Sequence, residues 1–200
     1  MSENIDKIIY INLKRREDKK IYIENELNTY ELPYERFDAI EYITQGNVGC
    51  SLSHLAVLKL AKEREYKNIL ILEDDFKFNL SKEDFENNLK QFFDSSSSID
   101  YNVCMFYYAI DAPLDNTEYS FLKRILKSHG TVGYLVNNNY YDILIQIIEE
   151  SIPKLIETKQ HWNYAIDTCW RNLQRNDLWY GFSPTIGDTT SFSSDCTDRL

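Results

Sequence analysis

The run Ile69-Leu70-Ile71-Leu72, ended by Glu73-Asp74-Asp75, constrains this chain more than any other stretch. Four consecutive branched apolar residues show no polar alternation, so a strand built from them must be covered on both faces. That is the property of a parallel sheet held between layers of helices. The three carboxylates then fall at the strand's carboxyl end. Side by side they repel one another, and each raises its neighbours' pKa unless a cation sits among them. The plain alternative is a solvated acidic turn ahead of a helix.

The flanking pattern agrees with a layered sheet. Lys7 to Leu13 (KIIYINL) reads as a first strand, residues 17–28 as a helix anchored by Ile21, Ile23 and Leu27, and residues 34–40 as a short second strand. Residues 49–66 (GCSLSHLAVLKLAKEREY) form a buried helix with a serine-rich start, and residues 82–93 an amphipathic helix carrying Phe85, Leu89, Phe92 and Phe93. Residues 101–109 read as another strand. This alternation over the first 110 residues predicts an α/β fold with a mostly parallel central sheet and helices on both faces. The four serines at 95–98 make a loop too short to link two domains. Further on, residues 111–130 read as an irregular loop or lid and 130–136 as a strand. Asn137 to Asn139 offer an N-cap to the helix YYDILIQIIEE, and 160–175 predicts one more helix bearing Trp162, Ile166, Trp170 and Leu173. Two hundred residues suit one domain.

Composition narrows the function. With 32 acidic against 22 basic residues the net charge is -10, which argues against nucleic acid as a partner. An anionic ligand would need a metal ion or a local basic cluster, and Lys14, Arg15 and Arg16 supply such a cluster at the end of the first strand. Cys50, Cys104, Cys169 and Cys196 are scattered, with no C-x-x-C pair and no short Cys/His spacing, so neither a zinc motif nor a disulfide framework is legible. No apolar run reaches membrane-spanning length and MSENIDK lacks an apolar core, so a soluble, cytoplasmic chain is the expectation.

In open α/β sheets ligands bind beyond the carboxyl ends of the strands. Three polar clusters fall there: Asn12 to Asp18, Asp38, and Glu73 to Asp75. Hard divalent cations bind one or two such carboxylates together with substrate phosphates. Gly49, Ser51, Ser53 and His54 lie near a helix start, whose free N–H groups and positive dipole end suit an anion. Simple N-capping by Ser51 and a core role for His54 are the alternatives.

YINLKRREDKK, then GCSLSHLAVLKLA, then ILILEDDFKF resemble, in order and spacing, glycosyltransferase family 25. Downstream, GTVGYLVNNNYYDIL, AIDTCW and SPTIGDTTSFSSD resemble the family's later blocks, so the resemblance runs along about the whole chain. It implies a GT-A-type, Rossmann-like single domain, with a nucleotide-sugar half near 1–110 and an acceptor half near 111–200. It further implies a UDP-sugar donor, usually UDP-galactose or a close relative, with Mn²⁺ and inversion at the sugar. Asn12, Leu13, Arg15 and Arg16 would line the nucleotide pocket with Gly49, Ser53, His54, Glu73 and Asp74, and Asp38 would lie near the base or ribose. Asp75 is the foremost metal ligand, with Glu73 and Asp188 beside it. Gly187 or Asp188 stands where the family often has Gln, and the chain is shorter than many members.

A general base must take the acceptor hydroxyl's proton as it attacks the anomeric carbon. Asp167 is the candidate, with Trp162 and Trp170 nearby as either sugar platforms or core. Asp188 and Asp195 stand in reserve for metal or diphosphate contact. The expected activity is hexosyl transfer to a hydroxyl of a glycan or of a hydroxylysine-type protein. The rival is a glycosyltransferase-like binding protein without activity. A metal-dependent phosphohydrolase would need a nucleophile where Asn12 stands.

Overall fold

The computed structural model describes residues 4–94 and 99–196. The serine loop expected at 95–98 lies outside them. The apolar run forms β3 (Asn68–Glu73), with Ile69, Leu70, Ile71 and Leu72 each fully buried. It pairs in parallel with β1 (Lys7–Asn12), which pairs in parallel with β2 (Glu35–Asp38). Helix α1 (Glu17–Thr29) joins β1 to β2, and α2 (Gly46–Glu63) joins β2 to β3. A short strand β4 (Phe76–Phe78) and α3 (Lys82–Phe93) follow. Ser81 caps α3 by accepting the Asp84 N–H.

Next come β5 (Val103–Met105), β6 (Ala109–Ile110), β7 (Asp115–Asn116), β8 (Leu122–Arg124), β9 (Ser128–His129) and β10 (Gly133–Asn137). The chain continues through α4 (Tyr141–Thr158), α5 (His161–Tyr164), α6 (Ile166–Cys169), α7 (Arg171–Asn176), β11 (Trp179–Phe182) and β12 (Gly187–Thr189). The main sheet has eight strands in the order β2-β1-β3-β10-β5-β11-β8-β7. β10 runs against β3 and β5, and β8 against β11 and β7, so six of the eight strands point the same way. Strands from both halves of the chain share this one sheet.

Strand parity sorts the core. Ile9, Ile11, Ile69 and Ile71 face α2 and α4, packing with Leu55, Leu58, Leu144 and Ile148. Ile8, Tyr10, Leu70 and Leu72 face α1 and α3, packing with Ile23, Leu27, Phe85 and Leu89. The α/β layering with helices on both faces is the one the sequence predicts. Among the described residues no helix is long and apolar enough to cross a membrane.

Several boundaries depart from the sequence reading. Helix α2 begins at Gly46, three residues before the predicted start, so Ser51 is no N-cap; its hydroxyl donates to Asn47 O at 2.9 Å inside the helix. Asn137 caps only the turn of 3-10 helix at Asn138–Tyr140, which leads into α4. The single helix predicted over 160–175 is three short ones, because Ala165 (φ -64°, ψ 157°) is extended between α5 and α6. The predicted loop 111–130 contains β7, β8 and β9. The predicted strand 101–109 shortens to β5, with β6 beginning only at its end.

Candidate active site

Parallel pairing sets Asn12, Asp38 and Glu73 at one edge of the sheet, with Asn12 opposite Asp38 and Ile11 opposite Glu73. A cleft of about 810 Å³, counting its open mouth, lies beyond that edge. Leu13, Arg15, Lys19, Gly49, Cys50, Ser53, His54, Glu73, Asp74 and Asp75 line it together with the 39–43 loop and the 194–196 tail.

The turn from β1 into α1 is folded around Asn12. Its buried amide donates to Arg16 O at 3.0 Å and to Asp74 Oδ2 at 2.8 Å, tying the first strand's end to the third's. The turn before α1 and the helix's first residues then bring three cations to the same place. Lys19, 4% exposed, brings its ammonium to 3.2 Å from Asp74 Oδ1 and 3.2 Å from Asp75 Oδ2. Arg15 reaches Glu41 Oε1 at 2.6 Å and Asp195 Oδ1 at 2.7 Å. Arg16 pairs with Asp195 as well and donates to Ser193 O at 3.2 Å.

The three adjacent carboxylates do not act as one group. Glu73 keeps the parity of Ile69 and Ile71, so it falls on the α2 side. There it accepts the Thr131 hydroxyl and approaches His54 Nε2 at 3.4 Å. Burial pushes its pKa up, but the His54 ring, the Thr131 hydroxyl and the Lys19 charge outweigh that and leave it below the ordinary range. Asp74 and Asp75 turn to Lys19. Burial raises both; for Asp75 the Glu73 and Asp74 charges add to it against the pull of Lys19, and its carboxyl is pushed up to about 6. Asp75 Oδ1 is buried with no hydrogen-bond partner.

That orphan oxygen, and the ammonium already standing between two carboxylates, mark a place that fits a divalent cation. Asp74 and Asp75 would hold it, with waters and phosphate oxygens completing an oxygen shell. The residues suggested as ligands are not gathered into one sphere. Asp188 is exposed on β12, opposite Lys77 of β4, which sets it diagonal to Asp75 on that two-stranded ribbon. Thr190 N donates to Asp75 O at 3.0 Å and closes the ribbon onto the site.

Gly49 and Ser53 shape the cleft rather than reach into it. Ser53 Oγ accepts the Ile40 N–H at 2.8 Å and donates to Gly49 O at 2.7 Å, pinning the lining loop to α2. A Cβ on Gly49 would meet Ile40 O at 2.6 Å and Tyr42 N at 3.0 Å, both backbone. Gly49→Ala should therefore push the 39–43 loop outward, destabilise the chain by about 1–3 kcal/mol and weaken nucleotide binding, as thermal unfolding and UDP calorimetry would register. Unchanged melting and affinity would show that the loop does not rest on this contact.

Asp38 is exposed and pairs with Arg36 at 3.2 Å, outside the cleft lining. Asp167 is half-buried and accepts the Gly130 N–H at 3.2 Å. Burial raises its pKa, and its charge acts on both Cys50 and Glu73, so it stands on the α2 side of the site. Trp170 is fully buried against Tyr134 and Trp179 and is core, whereas Trp162 is 59% exposed. Lys19, Cys50, Thr131 and Tyr134 are not among the site residues that the sequence reading proposes. Spacing alone could have flagged one of them, since Cys50 stands four residues before His54 on one face of α2.

The model of glycosyltransferase family 25 (LPS biosynthesis protein) matches residues 41–170, more than half of the chain. A glycosyltransferase 25 family member of Drosophila melanogaster is 26% identical over 102 residues, 38% of this chain and 17% of its own length. Procollagen galactosyltransferase 2 of Mus musculus is 28% identical over 100 residues, 36% of this chain and 16% of its own. The matched part of this chain thus spans about a sixth of each of these relatives. Among solved structures, a glycosyltransferase involved in glycosylation of the major capsid of PBCV-1 superposes with a TM-score of 0.46 at 11% identity, covering 88% of this chain and 92% of that one.

Proposed function

The chain belongs to glycosyltransferase family 25, and from that premise we propose that it moves a hexose from a UDP-sugar to a hydroxyl, with inversion and with a divalent metal. Galactose or glucose is the sugar proposed, and a glycan or a hydroxylysine-type protein the acceptor. The observation that carries this reading is the charge cluster at the carboxyl edge of β1 and β3, where Lys19 bridges Asp74 and Asp75 and shares Asp195 with Arg15 and Arg16. Bidentate guanidinium groups suit a diphosphate, and hard carboxylates suit Mn²⁺ or Mg²⁺. A metal ion bound by Asp74 and Asp75 would neutralise charge building on the departing UDP.

The chain's own groups divide the remaining work. Arg15 and Arg16 hold the diphosphate, and Leu13 with the 39–43 loop covers the nucleoside. Asn12 fixes Asp74 in position through its amide. Asp167 takes the acceptor proton; burial raises its pKa towards the working range of a general base while the Gly130 N–H orients it.

Calorimetry with UDP, with and without Mn²⁺, followed by hydrolysis of a panel of UDP-sugars, tests the reading without an acceptor. Metal-dependent binding and slow sugar release are expected. Asp75→Ala should lower that release by roughly 10²-fold or more, with the circular dichroism spectrum unchanged. Turnover indifferent to Mn²⁺ and to Asp75→Ala would overturn it. Metal-dependent UDP binding with no turnover on any donor or acceptor would favour an inactive binding module instead.

A further inference from the structure

Cys50 and His54 stand four residues apart on α2, on the helix face turned to the end of β3. Cys50 Sγ, a ring nitrogen of His54 and a carboxylate oxygen of Glu73 all lie within 4.8 Å of one another. Among the described residues this is the one cluster of three such groups close enough to share an ion. His54 is 1% exposed and its Nε2 has no hydrogen-bond partner. The ring is not loose: Nδ1 is held by the Tyr134 hydroxyl at 2.8 Å, and Tyr134 is itself fully buried. A histidine fixed through one nitrogen, with the other bare and buried, is the arrangement a metal-ligating imidazole takes.

The separation between the two harder ligands supports the same conclusion. His54 Nε2 is 3.4 Å from Glu73 Oε1. Two ligand atoms bound tetrahedrally to zinc, at ordinary Zn–N and Zn–O lengths, lie about 3.4 Å apart. The Thr131 hydroxyl donates to the same Glu73 oxygen and orients the carboxylate from outside.

We propose that Cys50, His54 and Glu73 bind a borderline divalent ion of the zinc class, at a site distinct from the Asp74–Asp75 edge and leaving a fourth position open to the cleft. The ligand set decides the metal. A thiolate and an imidazole favour Zn²⁺, whereas the all-oxygen pair of Asp74 and Asp75 favours Mn²⁺ or Mg²⁺. Binding replaces the Cys50 S–H bond with an S–metal bond, and the displaced proton passes to solvent. The Cys196 thiol, which hydrogen-bonds with Cys50, would give up that contact. The sequence carries no zinc spacing motif because its third ligand comes from another element, 19 residues after His54.

Titrating the full chain with Co²⁺ tests the site spectroscopically, with no reliance on turnover. A thiolate-to-cobalt absorption in the near ultraviolet, bleached by Zn²⁺, is expected. Cys50→Ser should abolish that band, and His54→Gln should weaken Zn²⁺ binding by more than the roughly 10–100-fold that loss of an outer partner costs. Asp75→Asn should leave both unchanged. Absence of the band, its survival in Cys50→Ser, or its loss in Asp75→Asn would overturn the assignment. Circular dichroism of each variant shows that the fold persists, and two different ligand variants guard against one failing to fold.

Discussion

Asp75→Asn should make the folded chain more stable at pH 8, at the same position where Asp75→Ala is expected to lose donor turnover. The native structure holds this carboxyl in a poor place for charge. Burial is the largest cause, and the charges of Glu73 and Asp74 add to it; Lys19 offsets only part, and the carboxyl titrates at about 6 against an ordinary 3.8. The sign follows from which state holds the proton more tightly. Between about pH 4 and 6 the native chain keeps a proton that the unfolded chain has released, so stability is full below that window and falls as pH rises through it. Two pKa units correspond to roughly 3 kcal/mol lost at neutral pH. An amide of the same shape cannot ionise and escapes the loss. Thermal unfolding at pH 5 and pH 8 should show the variant overtaking the wild type at pH 8 by several degrees, with little difference at pH 5. A variant that melts at or below the wild type at pH 8 would mean that Lys19 fully neutralises Asp75. A carboxylate that the fold would be better without is expected where it serves to bind a cation.

Lys19→Met should have the opposite effect. Lys19 is 4% exposed and is the nearest cation to both Asp74 and Asp75. Removing one partner of a buried ion pair leaves uncompensated charge and costs about 3–5 kcal/mol. For a chain of this length that lowers the melting temperature by roughly 10 °C at pH 8. The defect should shrink towards pH 5, because both carboxylates have raised pKa values that rise further without the ammonium. Mn²⁺ should restore part of the loss by replacing the missing cation. In the Asp75→Asn background Lys19→Met should be milder, and that non-additivity separates a charge effect from lost packing of the lysine's stem. Equal destabilisation at pH 5 and pH 8, untouched by Mn²⁺, would assign the effect to packing.

What could be read from the sequence divides along a physical line. Helix α3 matches its predicted bounds because a Ser cap, an acidic first turn and an apolar stripe all lie within one short window. β3 was legible because four buried residues in a row admit few other folds. The carboxyl-edge rule pointed to one end of the sheet, where Arg15 and Asp74 line the cleft and Asn12 lies beneath it, bonded to Asp74. The rest depended on partners distant in the chain. Whether Glu73 faces His54 or Asp75 is decided by strand parity against α2, not by the spelling of Glu73-Asp74-Asp75. The break at Ala165 between α5 and α6 carries no Gly or Pro to announce it. Asp195 meets Arg15 across 180 residues, which no local pattern encodes.

That last contact has a consequence for any ligand of the cleft. Arg15, Arg16 and Lys19 already serve an anion, the chain's own Asp195. Its carboxyl is kept ionised: burial acts upward on its pKa, but the Arg15 hydrogen bond and the Arg16, Arg15 and Lys19 charges outweigh it. A phosphate entering here is therefore an exchange of one anion for another, not the filling of a bare positive seat. The tethered carboxylate competes at a fixed local concentration however dilute the protein is. Apparent affinity for an incoming anion is then its intrinsic affinity scaled by the fraction of chains whose tail has let go. Every anion meets that same factor, so replacing Asp195 with Asn would raise the affinity of all of them by one common ratio.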